Sequence, residues 1–232
     1  MNYSNPLLVS LRNGARQAGL LRPLLREYRK LFPLDREEKF EEAILSHISP
    51  GDTVWDVGAN VGYFTLKMSD AVGSAGQVVA FEPAPSSHQV LTERAAHLSN
   101  VVVEQVAMGD VVGTTDLFVS AKPTDPSNGL FSDGDGTSVE VRSTTGCAYL
   151  SDHPERAPNV VKIDVEGFEY EVLKGLDDLV RSPSPLALFI EVHFGILDRR
   201  GMDEAPDQIV RLLRECGFKT RWLSISHLVA VK

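Results

Sequence analysis

A mostly parallel α/β sheet is predicted for this chain by three observations. From residue 35 onward, short apolar runs alternate with stretches of helical periodicity. One of those runs, Val54-Trp55-Asp56-Val57, ends in an acid and passes into the turn Gly58-Ala59-Asn60-Val61-Gly62. About 20 residues past Gly62, a second run, Val78-Val79-Ala80-Phe81, closes on Glu82-Pro83. A strand, a glycine turn, a helix and an acid ending the next strand form the nucleoside-binding half of a Rossmann-type fold.

The elements follow in order. Asp35-Arg36-Glu37-Glu38 supplies an N-cap residue and first-turn acids for a helix to about His47. Ser49-Pro50-Gly51-Asp52 turns into the first strand. Tyr63 to about Ala71 is the next helix, stopped by Gly73-Ser74-Ala75-Gly76, and Gln77–Phe81 is the second strand. Ser86 or Ser87 caps a helix through His97, and residues 101–107 read as a single third strand. Strict alternation then breaks. Thr114–Ser120 and Ser138–Ser143 read as a hairpin with a long polar tip, residues 122–137. A strand at Asn159–Asp164, a helix at Tyr170–Leu176 and a strand at Leu186–Val192 resume the pattern. A helix at Asp207–Cys216 and strands near 218–223 and 227–231 complete it, the last two placed as an antiparallel pair at one edge.

The 232 residues suit one such domain, residues 35–232, behind an N-terminal extension, residues 1–34. That extension carries Arg12, Arg16, Arg22, Arg26, Arg29 and Lys30 against the single acid Glu27, with leucines near helical spacing. It reads as a basic amphipathic helix, or two broken before Pro23, lying over the domain's own core. The alternatives are contact with a membrane surface, with a partner subunit as a homodimer arm, or with an acidic substrate. Overall, 43% hydrophobic and 24% charged residues are globular values, and a net charge of −9 argues against a nucleic-acid partner. No apolar run is long enough to span a bilayer, and Cys147 and Cys216 suggest neither a zinc site nor a disulfide framework. A reduced, cytoplasmic setting is expected.

In sheets of this kind ligands gather at the carboxyl ends of the strands. Those ends are rich in acid: Asp56, Glu82, Asp164 with Glu166, and Glu191 followed by His193. On strands buried on both faces, charge belongs only where a ligand or partner meets it. The turn itself separates cofactors. An acid ahead of Gly58-Ala59-Asn60-Val61-Gly62 would repel a diphosphate, but suits the ammonium, ribose and sulfonium of S-adenosylmethionine. Glu82 is placed to take the ribose hydroxyls.

Three blocks carry a more specific likeness: residues 56–62, Phe81-Glu82-Pro83-Ala84-Pro85, and residues 161–169, Val-Lys-Ile-Asp-Val-Glu-Gly-Phe-Glu. With Ala107-Met108-Gly109-Asp110 and Val172-Leu173-Lys174-Gly175, they closely resemble the FkbM family of S-adenosylmethionine-dependent methyltransferases. The resemblance implies a class I methyltransferase fold of seven strands, the last antiparallel, and O-methylation of natural products or sugars. It implies further that Asp56, Gly58, Asn60 and Gly62 line the methionine part of the cofactor, that Glu82 binds the ribose, and that the segment around Gln105 and Ala107 approaches the adenine. One departure stands out. Where the family commonly has Thr-Leu-Asp, this chain has Thr145-Gly146-Cys147, and an acid that serves there as a cap is missing. Cys147 is read as a small packing residue.

For chemistry, His193 is the expected general base or the group that orients one, with Asp164, Glu166 and Glu191 holding the acceptor. The strand-end acids are read as capping carboxylates with a Lys162 ion pair rather than as metal ligands, so no metal is expected. A divalent cation held by Asp164, Glu166 and Glu191 is the alternative. Asp133-Gly134-Asp135-Gly136-Thr137 faintly resembles a calcium loop but lacks its twelfth-position ligand, and reads as a turn. The expected partner is a hydroxylated small molecule. A second reading of the whole chain is a non-catalytic nucleoside-cofactor-binding or regulatory protein of the same fold.

Overall fold

A computed structural model of the chain describes residues 34–119 and 137–232. The N-terminal extension before residue 34, and the Asp133–Gly136 turn within the hairpin tip, lie outside the described residues. Helix α1 (Leu34–Leu45) leads into strand β1 (Thr53–Val57), α2 (Tyr63–Val72), β2 (Gln77–Phe81), α3 (Pro85–Ala95) and β3 (Val101–Glu104). The short β4 (Ala107–Met108), β5 (Gly113–Val119), β6 (Thr137–Thr144) and α4 (Gly146–Asp152) follow. The second half is β7 (Val160–Ile163), α5 (Glu169–Gly175), α6 (Asp177–Arg181), β8 (Ala187–Glu191), α7 (Phe194–Arg199), α8 (Ala205–Glu215), β9 (Lys219–Trp222) and β10 (His227–Val231).

Seven strands form one sheet in the order β3-β2-β1-β7-β8-β10-β9. The first five are parallel; β10 runs antiparallel between β8 and β9, so the last two strands make the antiparallel pair at the edge. Alternation along the strands divides the core. Val54, Val78, Val160 and Phe189 face α1 and α2 through Phe40, Ile44, Met68 and Val72. Trp55, Phe81, Ile163, Leu188 and Ile190 face α5, α6 and α8 through Leu173, Val180, Ile209 and Leu213. Both faces are covered, which is why the central strands read as continuous apolar runs.

Two boundaries and three short helices differ from the sequence reading, each for a local reason. The third strand stops at Glu104, where the Val106 N–H turns back to the Glu104 carbonyl. Ala107 and Met108 then pair with β6 in a small second sheet, β4-β6-β5. The helix after Glu82 starts at Pro85, its fixed φ suited to the first turn, with Ala84 rather than Ser86 or Ser87 at the N-cap position. Helices α4, α6 and α7 are too short, at 5–7 residues, to leave a periodic signal.

Candidate active site

The order of β2, β1 and β7 puts the topological switch between β1 and β7, and the residues ending these strands define the site. After β1 the chain climbs through Gly58 (φ 80°), Asn60 (φ 49°) and Gly62 (φ 88°), all left-handed. At Gly58 a Cβ would overlap the carbonyl oxygen of Asp164 at the end of β7, so glycine is required for the two strand ends to close on each other. The Gly58 and Ala59 amides donate to the Phe81 carbonyl, tying the turn to β2.

Glu82 completes this half. Its Oε2 accepts from the Asn60 amide at 2.7 Å and its Oε1 from the Ala84 amide at 2.8 Å. One carboxylate thus fixes the turn after β1 and the start of α3 together. Burial pushes its pKa up to about 7, against those two hydrogen bonds and the nearby Lys162 charge. Asp56 is fully buried and faces inward: Thr65 Oγ1 donates to Oδ2 at 2.7 Å and Lys162 Nζ to Oδ1 at 3.0 Å. Lys162, in the middle of β7, also donates to the Gly58 carbonyl at 3.1 Å and stands 3.6 Å from Asp164 Oδ2. The ion pair expected of Lys162 therefore welds the glycine turn to β7. Burial alone would lower the lysine pKa, but Asp56 and Asp164 outweigh it and raise it. Gln105 is exposed just past β3, and Ala107 is buried against Ala84, Leu117 and Val141.

The other half forms at the ends of β7 and β8. Asp164 and Glu166 converge, though not by strand alternation: β7 ends at Ile163, and Glu166 turns back in a left-handed conformation (φ 52°). Arg200 fixes that turn, donating to the Gly167 carbonyl and to Glu171 Oε1 while its guanidinium lies 3.5 Å from the Phe168 ring centre. His193 sits in the middle. Its Nδ1 is 2.7 Å from Glu169 Oε1, and its Nε2 is 3.4 Å from Glu166 Oε2 and 3.7 Å from Asp164 Oδ1. Burial opposes a charge on the ring, but the Glu169 hydrogen bond and the acids around it win, carrying the pKa up to about 10. Glu191 is held at about 2: burial would raise it, and His227, His193 and Lys162 more than offset that. The antiparallel register of β10 with β8 places His227 opposite Glu191, with Nε2 3.4 Å from Oε2.

All the acids read from strand ends are therefore brought to one edge of the sheet, and Glu191 and His193 join Asp164 there. Glu169 and His227 were missed as site residues. Glu169 stands in the chain as an ordinary first-turn helix acid, and nothing short of the β8–β10 register reveals His227. Cys147 is half-buried on α4, whose cap is supplied by Thr145: its Oγ1 accepts from the Ala148 amide at 3.0 Å. The helix start is therefore capped without the missing acid. The two outer motifs also meet. Lys174 pairs with Asp110, and a Cβ at Gly175 would overlap the Gly109 carbonyl, so both glycine-containing segments pack backbone to backbone.

A parallel sheet with β10 inserted antiparallel, and a glycine turn flanked by strand-end acids at its switch point, define the class: class I S-adenosylmethionine-dependent methyltransferases. A Streptococcus mutans protein solved in complex with SAH shares the fold, with a TM-score of 0.53 at 11% identity over 85% of this chain and 97% of that one. Residues 56–220 match the Methyltransferase FkbM domain, and the chain belongs to that family. Among its relatives, the hexuronic acid methyltransferase AglP of Haloferax volcanii is 28% identical over 184 residues, 79% of this chain and 70% of the relative. The 31-O-demethyl-FK506 methyltransferase FkbM of Streptomyces tacrolimicus is 28% identical over 218 residues, 80% of each chain. Among the described residues, no helix is long and apolar enough to cross a membrane.

Proposed function

We propose that this protein moves the methyl group of S-adenosylmethionine to an oxygen of a small hydroxylated molecule, a natural product or a sugar derivative. The observation that carries the reading is the closure of Gly58 on Asp164, which makes the glycine turn and the acid cluster two walls of one site. The turn from Gly58 to Gly62 receives the methionine part of the cofactor, Glu82 the ribose hydroxyls, and the Gln105–Ala107 segment the adenine. Asp56, with both oxygens engaged by Thr65 and Lys162, shapes that pocket from behind. The names of the two relatives, which act on a hexuronic acid and on 31-O-demethyl-FK506, support an oxygen acceptor on a small molecule. Residues 35–232 are the catalytic unit in this reading, and residues 1–34 an appended arm.

The step itself is an in-line displacement. The acceptor oxygen forms a bond to the methyl carbon as the carbon–sulfur bond breaks. The electron pair of that bond stays on sulfur, which becomes a neutral thioether, and the hydroxyl proton leaves to a base. Asp164, Glu191 and His193 form the acceptor wall. Both ring nitrogens of His193 face carboxylates, so its geometry favours orienting those acids over acting as a lone base.

The test has two arms. Calorimetry with S-adenosylmethionine, and NAD as control, is expected to show binding of the first alone. Labelled methyl transfer is then screened across hydroxylated metabolites and glycosides. Cofactor binding without transfer to any acceptor would favour a non-catalytic regulatory protein; binding of NAD instead would overturn the cofactor assignment.

A further inference from the structure

The acid cluster after β7 and β8 gathers Asp164, Glu166, Glu169 and Glu191 around His193, with Lys162 and His227 behind. Its geometry sorts into an inner and an outer layer. One side-chain ligand atom from each of Asp164, Glu191 and His193 lies within 4.8 Å of the others. Around one divalent ion with bonds of about 2.0–2.3 Å, donors at right angles stand about 3 Å apart and opposed donors about 4–4.6 Å. The three atoms therefore span little more than one coordination sphere.

The outer layer is that of a held ligand. Glu169, with no exposed surface, takes the His193 Nδ1 at 2.7 Å and also accepts the Gly167 amide on the same oxygen. A carboxylate on Nδ1 fixes the ring and its tautomer and leaves the Nε2 lone pair for a metal. Nε2 is turned toward Asp164 and Glu166 and hydrogen-bonds neither. Two buried side chains bordering the cluster carry unmet polar atoms. Glu169 Oε2 has no hydrogen-bond partner, and neither has Nε2 of His227, a residue 3% exposed that is aimed at Glu191 from 3.4 Å. The His227 ring is held there by stacking on Phe40, 4.1 Å between ring centres, and by Ser224 at Nδ1. Lys162 and the His193 ring are the cations set against these carboxylates, and an ion at Nε2 would take the place of the ring's second proton.

We propose that Asp164, Glu191 and His193 bind a divalent cation, with Glu166 as a further oxygen ligand and Glu169 holding the imidazole from behind. One imidazole among carboxylates suits Mn²⁺, which accepts both donor types, better than the all-oxygen shell preferred by Ca²⁺. Binding of the ion stands on its own; its task rests on the methyl-transfer reading. There it would hold the acceptor oxygen beside the sulfonium methyl and ease loss of the hydroxyl proton.

Mn²⁺ titration of the full chain, followed by electron paramagnetic resonance, tests this. Saturable binding of one ion per chain is expected, with the pulsed spectrum showing nitrogen modulation from a directly bound imidazole. Glu169→Gln should weaken binding about 10- to 100-fold by loosening the ring, and Glu191→Gln by at least as much. No saturable binding, a spectrum without nitrogen modulation in the unmodified protein, or undiminished affinity in both variants would overturn the site. The spectral arm needs no variant to fold. Calorimetry with S-adenosylmethionine on the same sample separates the two readings: Mn²⁺ bound without cofactor would sink methyl transfer and leave the ion site, and the reverse would sink the ion site alone.

Discussion

The turn after β1 and the acid cluster after β7 and β8 touch through Gly58 and Asp164, yet they meet their carboxylates in different ways. In the turn, each Glu82 oxygen accepts a backbone amide, and the two Asp56 oxygens accept from Thr65 and Lys162. Its charges are met by the protein's own donors. In the cluster, acids face acids across one imidazole, and buried atoms of Glu169 and His227 stay without hydrogen-bond partners. In the turn the carboxylates are met and the buried Asn60 Oδ1 is left without a partner, whereas the cluster sets several carboxylates against Lys162 and one imidazole. In the proposed reading, a cofactor wall fixed by its own backbone amides beside a separate acceptor wall would let one fold keep its methyl donor while the acceptor changes.

Cutting the link between the walls should have the largest effect. Lys162 is the buried cation shared by Asp56, Asp164 and the Gly58 carbonyl. Lys162→Met would strand Asp56, which has no exposed surface, as an unpaired charge. The expected loss is about 3–5 kcal/mol of unfolding free energy, read by urea denaturation. A loss under about 1 kcal/mol would mean that the walls are held together by backbone alone.

The acceptor wall is the next to break. His193→Ala leaves the glycine turn and Glu82 untouched, so cofactor affinity should stay within about threefold of the parent protein. Turnover should fall by about 10²-fold or more, the scale of a positioned proton-handling group. Equal losses in cofactor affinity and turnover would show that the walls do not divide the labour. Single-turnover rates beside calorimetric affinities make the distinction.

The same division explains what was legible in the chain. The cofactor wall is made of local sequence: left-handed positions demand Gly58 and Gly62, and an acid closes β2 two residues before the amide that it accepts. The acceptor wall is made of register and turns. Asp164 and Glu166 flank one valine, the spacing of strand alternation, but they converge because Glu166 lies past the strand in a left-handed turn pinned by Arg200. Glu169 looks like a helix-start acid, and His227 lies 36 positions past Glu191, brought opposite it by β10 pairing with β8. The third strand was read three residues too long because Val106 and Ala107 are as apolar as the strand before them. It ends where the Val106 amide turns back to the Glu104 carbonyl, a backbone contact with no signature in the residue types.

A smaller effect is expected at Glu82. Its pKa of about 7 in the folded chain lies above the ordinary 4.5, so folding binds its proton more tightly. The stability it contributes is complete below about pH 4.5 and is lost as pH climbs through 7. Ribose hydroxyls donate to the carboxylate form and should therefore bind better as it ionises, with affinity rising up to about tenfold from pH 6 to 8. Glu82→Gln turns an amide NH₂ toward one of the two backbone donors, and should weaken cofactor binding by about 10- to 100-fold. It should also flatten that pH dependence. A retained rise in the variant would assign the titration to the acceptor wall.

The least effect is expected at the departure from the family's usual residues. Cys147 follows a helix start already capped by Thr145, and its half-buried side chain lies on α4, whose Tyr149 packs edge-on against Trp55 and Phe81. Cys147→Asp would restore the acid common at this place in the family without a vacant cap to fill. Stability should change by less than about 1 kcal/mol, and cofactor affinity not at all. Thr145→Ala, by contrast, should cost about 1 kcal/mol, the worth of the cap itself. If Cys147→Asp rescued Thr145→Ala in thermal unfolding, the acid and the threonine would be alternative caps for one helix. If it raised turnover in the parent protein instead, the acceptor wall would extend to α4, and the boundary between the two walls would have to be redrawn there.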